Sequence, residues 1–202
     1  MDLREHVVDV VVLAGGEGRR LGGVDKAAVV VAGRPMLEHV LNAVRGARHV
    51  VVVGPANLDA DGYLRVQEDP PHGGPAAGLA AGLAALDDPV PLVLVLACDQ
   101  PMAGAAIGSL LTTLATRPDA DGAVLRAADG RRQTLLAIYR TEALQTAVAR
   151  AAAGMGLHGA SMRSLVAELS LLDVPDTNGA AQDGDTWQDV ESLSERMRHS
   201  NG

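Results

Sequence analysis

Apolar residues in this chain come in short unbroken runs rather than in strict alternation. Residues 7–14 read VVDVVVLA, 49–54 HVVVVG and 91–97 PLVLVLA. Runs of this length, rich in β-branched residues and closed by glycine or a polar turn, are the pattern of strands buried on both faces. Helical spacing separates them. PMLEHVLNAVRGA (35–47) places Met36, Leu37, Val40, Leu41 and Val44 on one stripe, with Pro35 at the first turn. PAAGLAAGLAAL (75–86) predicts a helix of small residues, GAAIGSLLTTLAT (104–116) a third, and TEALQTAVARAAAG (141–154) a fourth with Thr141 as its N-cap. Shorter strands are predicted within 26–35 and 63–68, and GAVLRA and TLLAIYR form a strand pair around the turn ADGRRQ. After SMRSLVAEL come a strand LSLLDV, a polar loop over 173–185 and a last helix from Trp187. No linker divides the chain, so residues 1–202 read as a single domain. Alternating strands and helices, with the strands buried, predict an open and mostly parallel sheet.

Helices on both faces of such a sheet make a three-layer, Rossmann-like α/β architecture. Composition narrows what fills it. Hydrophobic residues make up 48% of the chain, but phenylalanine is absent and aromatics reach only 1%, so valine, leucine and alanine must build the core. A net charge of -8 argues against a nucleic-acid binder or a reader of anionic membranes. No apolar run approaches the roughly 18 to 20 residues of a membrane span. The N-terminal MDLREHVVDVVVLAGG lacks the layout of a signal peptide, which makes the cytoplasm the expected compartment. Cys98 is the only cysteine, excluding an internal disulfide and a cysteine-based zinc cluster.

Ligands of open α/β sheets bind beyond the carboxyl ends of the strands, and three strands here end in loops that carry chemistry. The first loop runs from Ala14 through Gly15, Gly16, Glu17, Gly18, Arg19, Arg20, Leu21, Gly22, Gly23, Val24 and Asp25 to Lys26. A dinucleotide fingerprint starting at Gly16 and Gly18 would need glycine at 21, and a P-loop would need lysine directly after Gly23; neither fits. Closely spaced glycines let backbone N–H groups gather around an anion. The loop is long enough to wrap a triphosphate, with Arg19 or Arg20 and Lys26 supplying charge. Lys26 is the only lysine among 17 basic residues, and a compact ammonium follows a changing phosphoryl group in a way a fixed guanidinium fork does not. The second loop, VLVLACDQP, sets Asp99 just past a buried strand, where it can hold Mg²⁺ beside phosphate oxygens or cap the next helix. The third, QEDPPHGGPAAGLAAGL, makes a rigid turn into a helix whose small residues allow close approach. Glu68 or Asp69 there can accept from the two adjacent donors of a guanine edge, and His72 reads as a plain loop residue.

Taken together and in order, LAGGEGRRLGGVDKA, EDPPHGGPAAGL and ACDQP resemble the molybdenum cofactor guanylyltransferases of the sugar-nucleotide-type nucleotidyltransferase superfamily. Leu13 to Lys26 match that family's spacing of LAGG, three variable residues, arginine, a bulky apolar residue, glycine, two variable residues and Asp-Lys. Gly74 to Gly78 correspond to its Gly-Pro-Leu-Ala-Gly, with Ala76 in place of leucine, and Cys98 to Pro101 to its Cys-Asp-x-Pro. GRRQTLLAIYRTEAL and DTWQDVESL resemble later family blocks, so the likeness extends over nearly the whole chain.

The resemblance implies a nucleotide-diphospho-sugar transferase type of fold and a transfer of GMP from GTP to molybdopterin with release of pyrophosphate. It implies that Leu13, Ala14, Gly15, Gly16, Gly18, Lys26, Asp69, Gly74, Pro75 and Gly78 bind the nucleotide. Lys26, Arg20 and Asp99 would be catalytic, Asp69 would read guanine, and Asp99 with Asp185 would hold Mg²⁺. The partners are then GTP and molybdopterin, with cofactor-synthesis proteins handing over the pterin to a monomer. One block departs from the family. Where Asn-x-Asn-Thr-Pro is common, this chain has Asp183, Gly184, Asp185, Thr186 and Trp187. Those carboxylates either strengthen a metal site or, with Asp185 or Thr186, cap the last helix. Arg131 and Arg132 in the GRRQ turn are candidates for the acceptor's phosphate. Cytidylyl transfer or another acceptor on the same fold, and a decayed nucleotide-binding module, are the competing readings; the failed fingerprint disfavours a dehydrogenase.

Overall fold

A computed structural model describes residues 7–16 and 19–200. Its central sheet has seven strands: β1 (Asp9–Leu13), β4 (Val50–Val53), β5 (Leu64–Val66), β6 (Leu92–Ala97), β7 (Gly122–Arg126), β8 (Arg132–Arg140) and β9 (Leu171–Pro175). They lie in the order β5-β4-β1-β6-β8-β7-β9, and of these β8 alone runs antiparallel to its neighbours. The helices are α1 (Met36–Ala43), α2 (Pro75–Ala84), α3 (Gly104–Ala115), α4 (Thr141–Ala153), α5 (Met162–Leu165) and α6 (Trp187–Ser200). The predicted class is the one observed. After β1 the chain builds outward through β4 and β5, then returns to set β6 on the other flank of β1. That reversal opens a crevice at the carboxyl end of β1.

Strand geometry explains the unbroken apolar runs. Successive side chains of β1 point to opposite faces. Val10 and Val12 join one buried cluster with Leu37, Val40, Ile107 and Leu110 from α1 and α3. Val11 and Leu13 join the other with Leu79 and Leu83 of α2, Leu144 of α4 and Leu165 of α5. With both faces covered, every position of β1 is buried. Each fully buried valine or leucine contributes about 1.5–3 kcal/mol, so an aliphatic core compensates for the missing aromatics by number. Small residues let α2 approach the sheet closely. A Cβ added at Gly82 would meet Val11 Cγ1 at 2.5 Å and Val53 Cγ2 at 2.9 Å. No described helix is long and apolar enough to cross a membrane.

Three local expectations change. The strand expected within 26–35 does not join the central sheet. Lys26–Ala28 form a 3-10 turn, and β2 (Val30–Val31) and β3 (Arg34–Pro35) make a separate two-stranded ribbon. Ala32 and Gly33 turn that ribbon with φ of 47° and 87°, the geometry of a tight hairpin. The ribbon and α6 share a third apolar cluster of Leu21, Val29, Val31, Met36, Val190 and Leu193. Helix α1 starts one residue later than expected, with Pro35 as its N-cap. Thr141 does not cap α4: Arg140 holds that position without a capping side-chain bond, and the Thr141 hydroxyl instead donates to Val90 O at 2.6 Å in the core.

Candidate nucleotide site

The crevice is fixed by ladder bonds that run one residue past the strands. Ala14 N–H donates to Val53 O at 2.7 Å and Cys98 N–H to Leu13 O at 3.0 Å, so the ends of β1, β4 and β6 are tied together. Cys98 is buried, and burial pushes its thiol well above the ordinary range, so it packs rather than reacts. Gly15 and Gly16 lie exposed at the mouth; Gly18, assigned to the nucleotide from sequence, falls outside the described residues. Farther along, Leu21 is buried and anchors the loop in the third cluster. Gly22 and Gly23 both take φ of 82°, which favours glycine, and swing the chain back toward the sheet.

That return delivers Lys26. Asp25 Oδ1 accepts from Ala27 N–H at 3.0 Å and caps the 3-10 turn. Lys26 Nζ donates to Asp99 Oδ2 at 3.1 Å and to Asp185 Oδ1. Arg20 Nη1 donates to the second oxygen of Asp185 at 3.0 Å. Three segments far apart in sequence therefore meet in one node. The Lys26, Asp99 and Asp185 side chains keep 19%, 22% and 28% of their surface open, so solvent reaches the node. Burial works against the Lys26 charge, but its bonds to Asp185 and Asp99 outweigh burial and hold its pKa above the usual lysine value.

The C-terminal loop is docked on the same strand end, with Gly184 N–H donating to Asp99 O at 2.9 Å. The helix cap is resolved here. Asp189 N–H donates to Thr186 Oγ1 at 3.2 Å while Thr186 N–H donates to Asp189 Oδ2 at 2.9 Å, a reciprocal capping box. Thr186 caps α6, and Asp185 is left to face Lys26 and Arg20. Asp183 keeps a solvent-facing edge, but partial burial and the negative charges of Asp185 and Asp99 raise its carboxyl above the ordinary aspartate range.

Among the described residues no group of three or more histidine, cysteine, aspartate or glutamate side chains is arranged to hold a metal. Two carboxylates do converge on one cation, the Lys26 ammonium. Oxygen donors from one or two carboxylates, completed by phosphate oxygens and water, are the usual protein share of a Mg²⁺ site. The donor set of Asp99 and Asp185 fits that ion.

The third loop forms a second wall. Asp69 is exposed in the turn before α2, and His72 is exposed with φ of 64°. Glu68 points inward: a Cβ on Gly78 would lie 4.0 Å from Glu68 Oε2, 3.5 Å from Val53 Cγ1 and 3.6 Å from Leu13 Cδ2. Gly74 caps α2 and Pro75 opens it. The α4–α5 loop braces this wall, a contact that no local residue pattern signals. Gly159 N–H donates to Gly73 O at 2.8 Å and Ala76 N–H to Ala160 O at 3.3 Å. On the far side, Arg131 pairs with Asp129 inside its own turn and Arg132 pairs with Asp173 on β9. Both arginines thus have carboxylate partners within the chain.

A glycine loop and lysine after a central strand, facing an aspartate after the next, is the layout of an α/β nucleotidyltransferase. The family model of the MobA-like NTP transferase domain matches residues 10–173, and the chain belongs to that family. A probable molybdenum cofactor guanylyltransferase of Natronomonas pharaonis is 30% identical over 206 residues, covering 93% of this chain and 96% of that protein. A molybdenum cofactor guanylyltransferase of Shewanella pealeana is 33% identical over 132 residues, 62% of this chain and 64% of that protein, just under two thirds of that relative's length. Among solved structures, the molybdopterin-guanine dinucleotide biosynthesis protein A of Archaeoglobus fulgidus shares the fold. Its TM-score is 0.69 at 20% identity, and the match covers 95% of this chain and 99% of that one.

Proposed function

We propose that this protein transfers GMP from GTP to the terminal phosphate of molybdopterin, releasing pyrophosphate. The observation that carries the reading is the node at the carboxyl ends of β1 and β6, where Lys26 is held between Asp99 and Asp185. Two cations, Lys26 and Arg20, stand there against three carboxylates, Asp99, Asp183 and Asp185. A triphosphate entering such a node needs added positive charge. When bound by Asp99 and Asp185, Mg²⁺ neutralises phosphate charge.

In this reading an acceptor phosphate oxygen forms a bond to the α-phosphorus of GTP. The bond from that phosphorus to its β-bridging oxygen breaks, and pyrophosphate leaves with the electron pair. The acceptor phosphate is already ionised at neutral pH, so no general base is required. Positioning and charge stabilisation carry the step. Lys26 is kept protonated by its raised pKa and donates to phosphate oxygens as charge moves to the leaving group. Arg20 adds a second donor, and the N–H groups of Gly15 and Gly16, just past the ladder, cradle the phosphates. The base lies over the wall of Gly74, Pro75 and Gly78, with Asp69 reading guanine and Glu68 as its alternative. The reaction is read as cytoplasmic, on a monomer that receives its pterin from cofactor-synthesis proteins.

The test is pyrophosphate release with Mg²⁺ and molybdopterin, offered GTP, CTP, ATP and UTP in parallel. Release with GTP alone supports the reading. Release with CTP alone keeps the chemistry and overturns the guanine assignment, and release with none of the four overturns the function.

A further inference from the structure

Trp187 is the only tryptophan of a chain that has two tyrosines and no phenylalanine. Tyr139 shows the usual fate of a large ring here: it is fully buried, and its hydroxyl donates to Thr134 O at 2.9 Å. Trp187 is instead 57% exposed. It lies one helical turn before Val190 on α6, at a spacing that shares a face, yet it stays outside the apolar cluster that Val190 and Leu193 form with the β2–β3 ribbon. Its backbone is not loose. The Thr186–Asp189 capping box fixes the first turn of α6, and two residues earlier Asp185 is bonded to both Lys26 and Arg20. An exposed indole is therefore carried on fixed backbone within two residues of the node.

The topology gives it a side. The Glu68 wall stands against Leu13 of β1 and Val53 of β4, on the β4 flank of the central strand. Residues 184–187 are docked through Asp99, which follows β6, on the opposite flank. A nucleotide whose base occupies the first wall leaves the second flank to the other substrate. We infer that Trp187 is the stacking platform for the acceptor, a fused heterocycle with a flat pyrimidine ring and a phosphate on its side chain. This inference rests on the proposed reaction for the identity of the acceptor. Ring stacking needs only a flat π face, and the Asp183 carboxylate on the same loop offers an acceptor to the N–H groups at the heterocycle's edge.

A single tryptophan makes its emission a report on Trp187 alone. Wild-type protein is titrated with Mg²⁺–GTP and, separately, with molybdopterin, while steady-state kinetics compare wild type, Trp187→Ala and Trp187→Phe. Energy transfer also dims an indole at a distance, so the kinetic arm decides. The inference predicts quenching by molybdopterin rather than GTP. It also predicts a rise of about tenfold in KM for molybdopterin in Trp187→Ala, recovered in large part by Trp187→Phe, with KM for GTP moving less than twofold. An unchanged KM for molybdopterin, or a rise in KM for GTP instead, overturns it while leaving the proposed reaction standing. If the wild type releases no pyrophosphate, the proposed reaction falls and direct binding replaces KM: a molybdopterin Kd about tenfold weaker in Trp187→Ala by calorimetry supports the platform, and an unchanged Kd overturns it.

Discussion

Charge gathers at both ends of β1, and the two gatherings are built differently. At the amino end Asp9 is wholly buried; its Oδ2 accepts from Val90 N–H at 2.8 Å and its Oδ1 lies 3.0 Å from His49 Nδ1. Each of its oxygens has a neighbour, and the carboxylate itself is sealed from solvent although the His49 ring reaches the surface. At the carboxyl end Asp99 and Asp185 share one ammonium, Asp183 adds a third carboxylate, and the node stays open to solvent. A buried charge persists when its hydrogen bonds are complete. An open node with more carboxylate than cation has capacity left for a ligand. In the proposed reaction the first arrangement is structural and the second is chemical.

Four changes separate those roles. The largest effect belongs to Lys26→Ala, which should lower pyrophosphate release about 10²- to 10³-fold, the usual loss for one donor to a developing oxyanion. Thermal unfolding should move by only a few degrees, because the node is partly solvated. Asp9→Ala should do the reverse. It strands the buried Val90 N–H, costing about 2 kcal/mol of stability in urea unfolding, while the rate per folded molecule stays at the wild-type level.

Thr186→Ala probes the link between α6 and the node. Loss of the cap should cost about 1 kcal/mol, read as a lower urea midpoint. The smallest effect is expected at Asp173, whose carboxyl is held below the usual range by the hydrogen bond from Arg132. Its stabilisation is present above the unfolded aspartate pKa and is lost as pH falls through the lower folded value. Asp173→Asn should therefore flatten the acid limb of stability against pH, by about 0.5 kcal/mol for so exposed a pair.

The parts of this fold legible in sequence were those set by local pattern. Val10 to Leu13 could be read as a buried strand because both faces demand apolar residues. The 26–35 stretch could not, since its valines serve a ribbon whose partner, α6, lies more than 150 residues further along the chain. At the site, the residue types of the glycine loop, Lys26 and Asp99 pointed to phosphate chemistry without any contact being visible. Whether Asp185 or Thr186 capped α6 was undecidable, because both are good caps and only the capping box with Asp189 separates them. The inward turn of Glu68 beside the exposed Asp69 was equally hidden, since adjacent carboxylates carry the same chemistry. Arg131 and Arg132 showed the converse: they read as free donors until Asp129 and Asp173 were seen beside them.

Whether the two ends of β1 divide chemistry from structure comes down to two variants in one assay. Initial rates of pyrophosphate release from GTP, with molybdopterin present, are measured per folded molecule for Lys26→Ala and Asp9→Ala in the same assay. A loss of at least about 100-fold is expected for Lys26→Ala, and a wild-type rate for Asp9→Ala. A Lys26→Ala protein that keeps the wild-type rate would contradict that division.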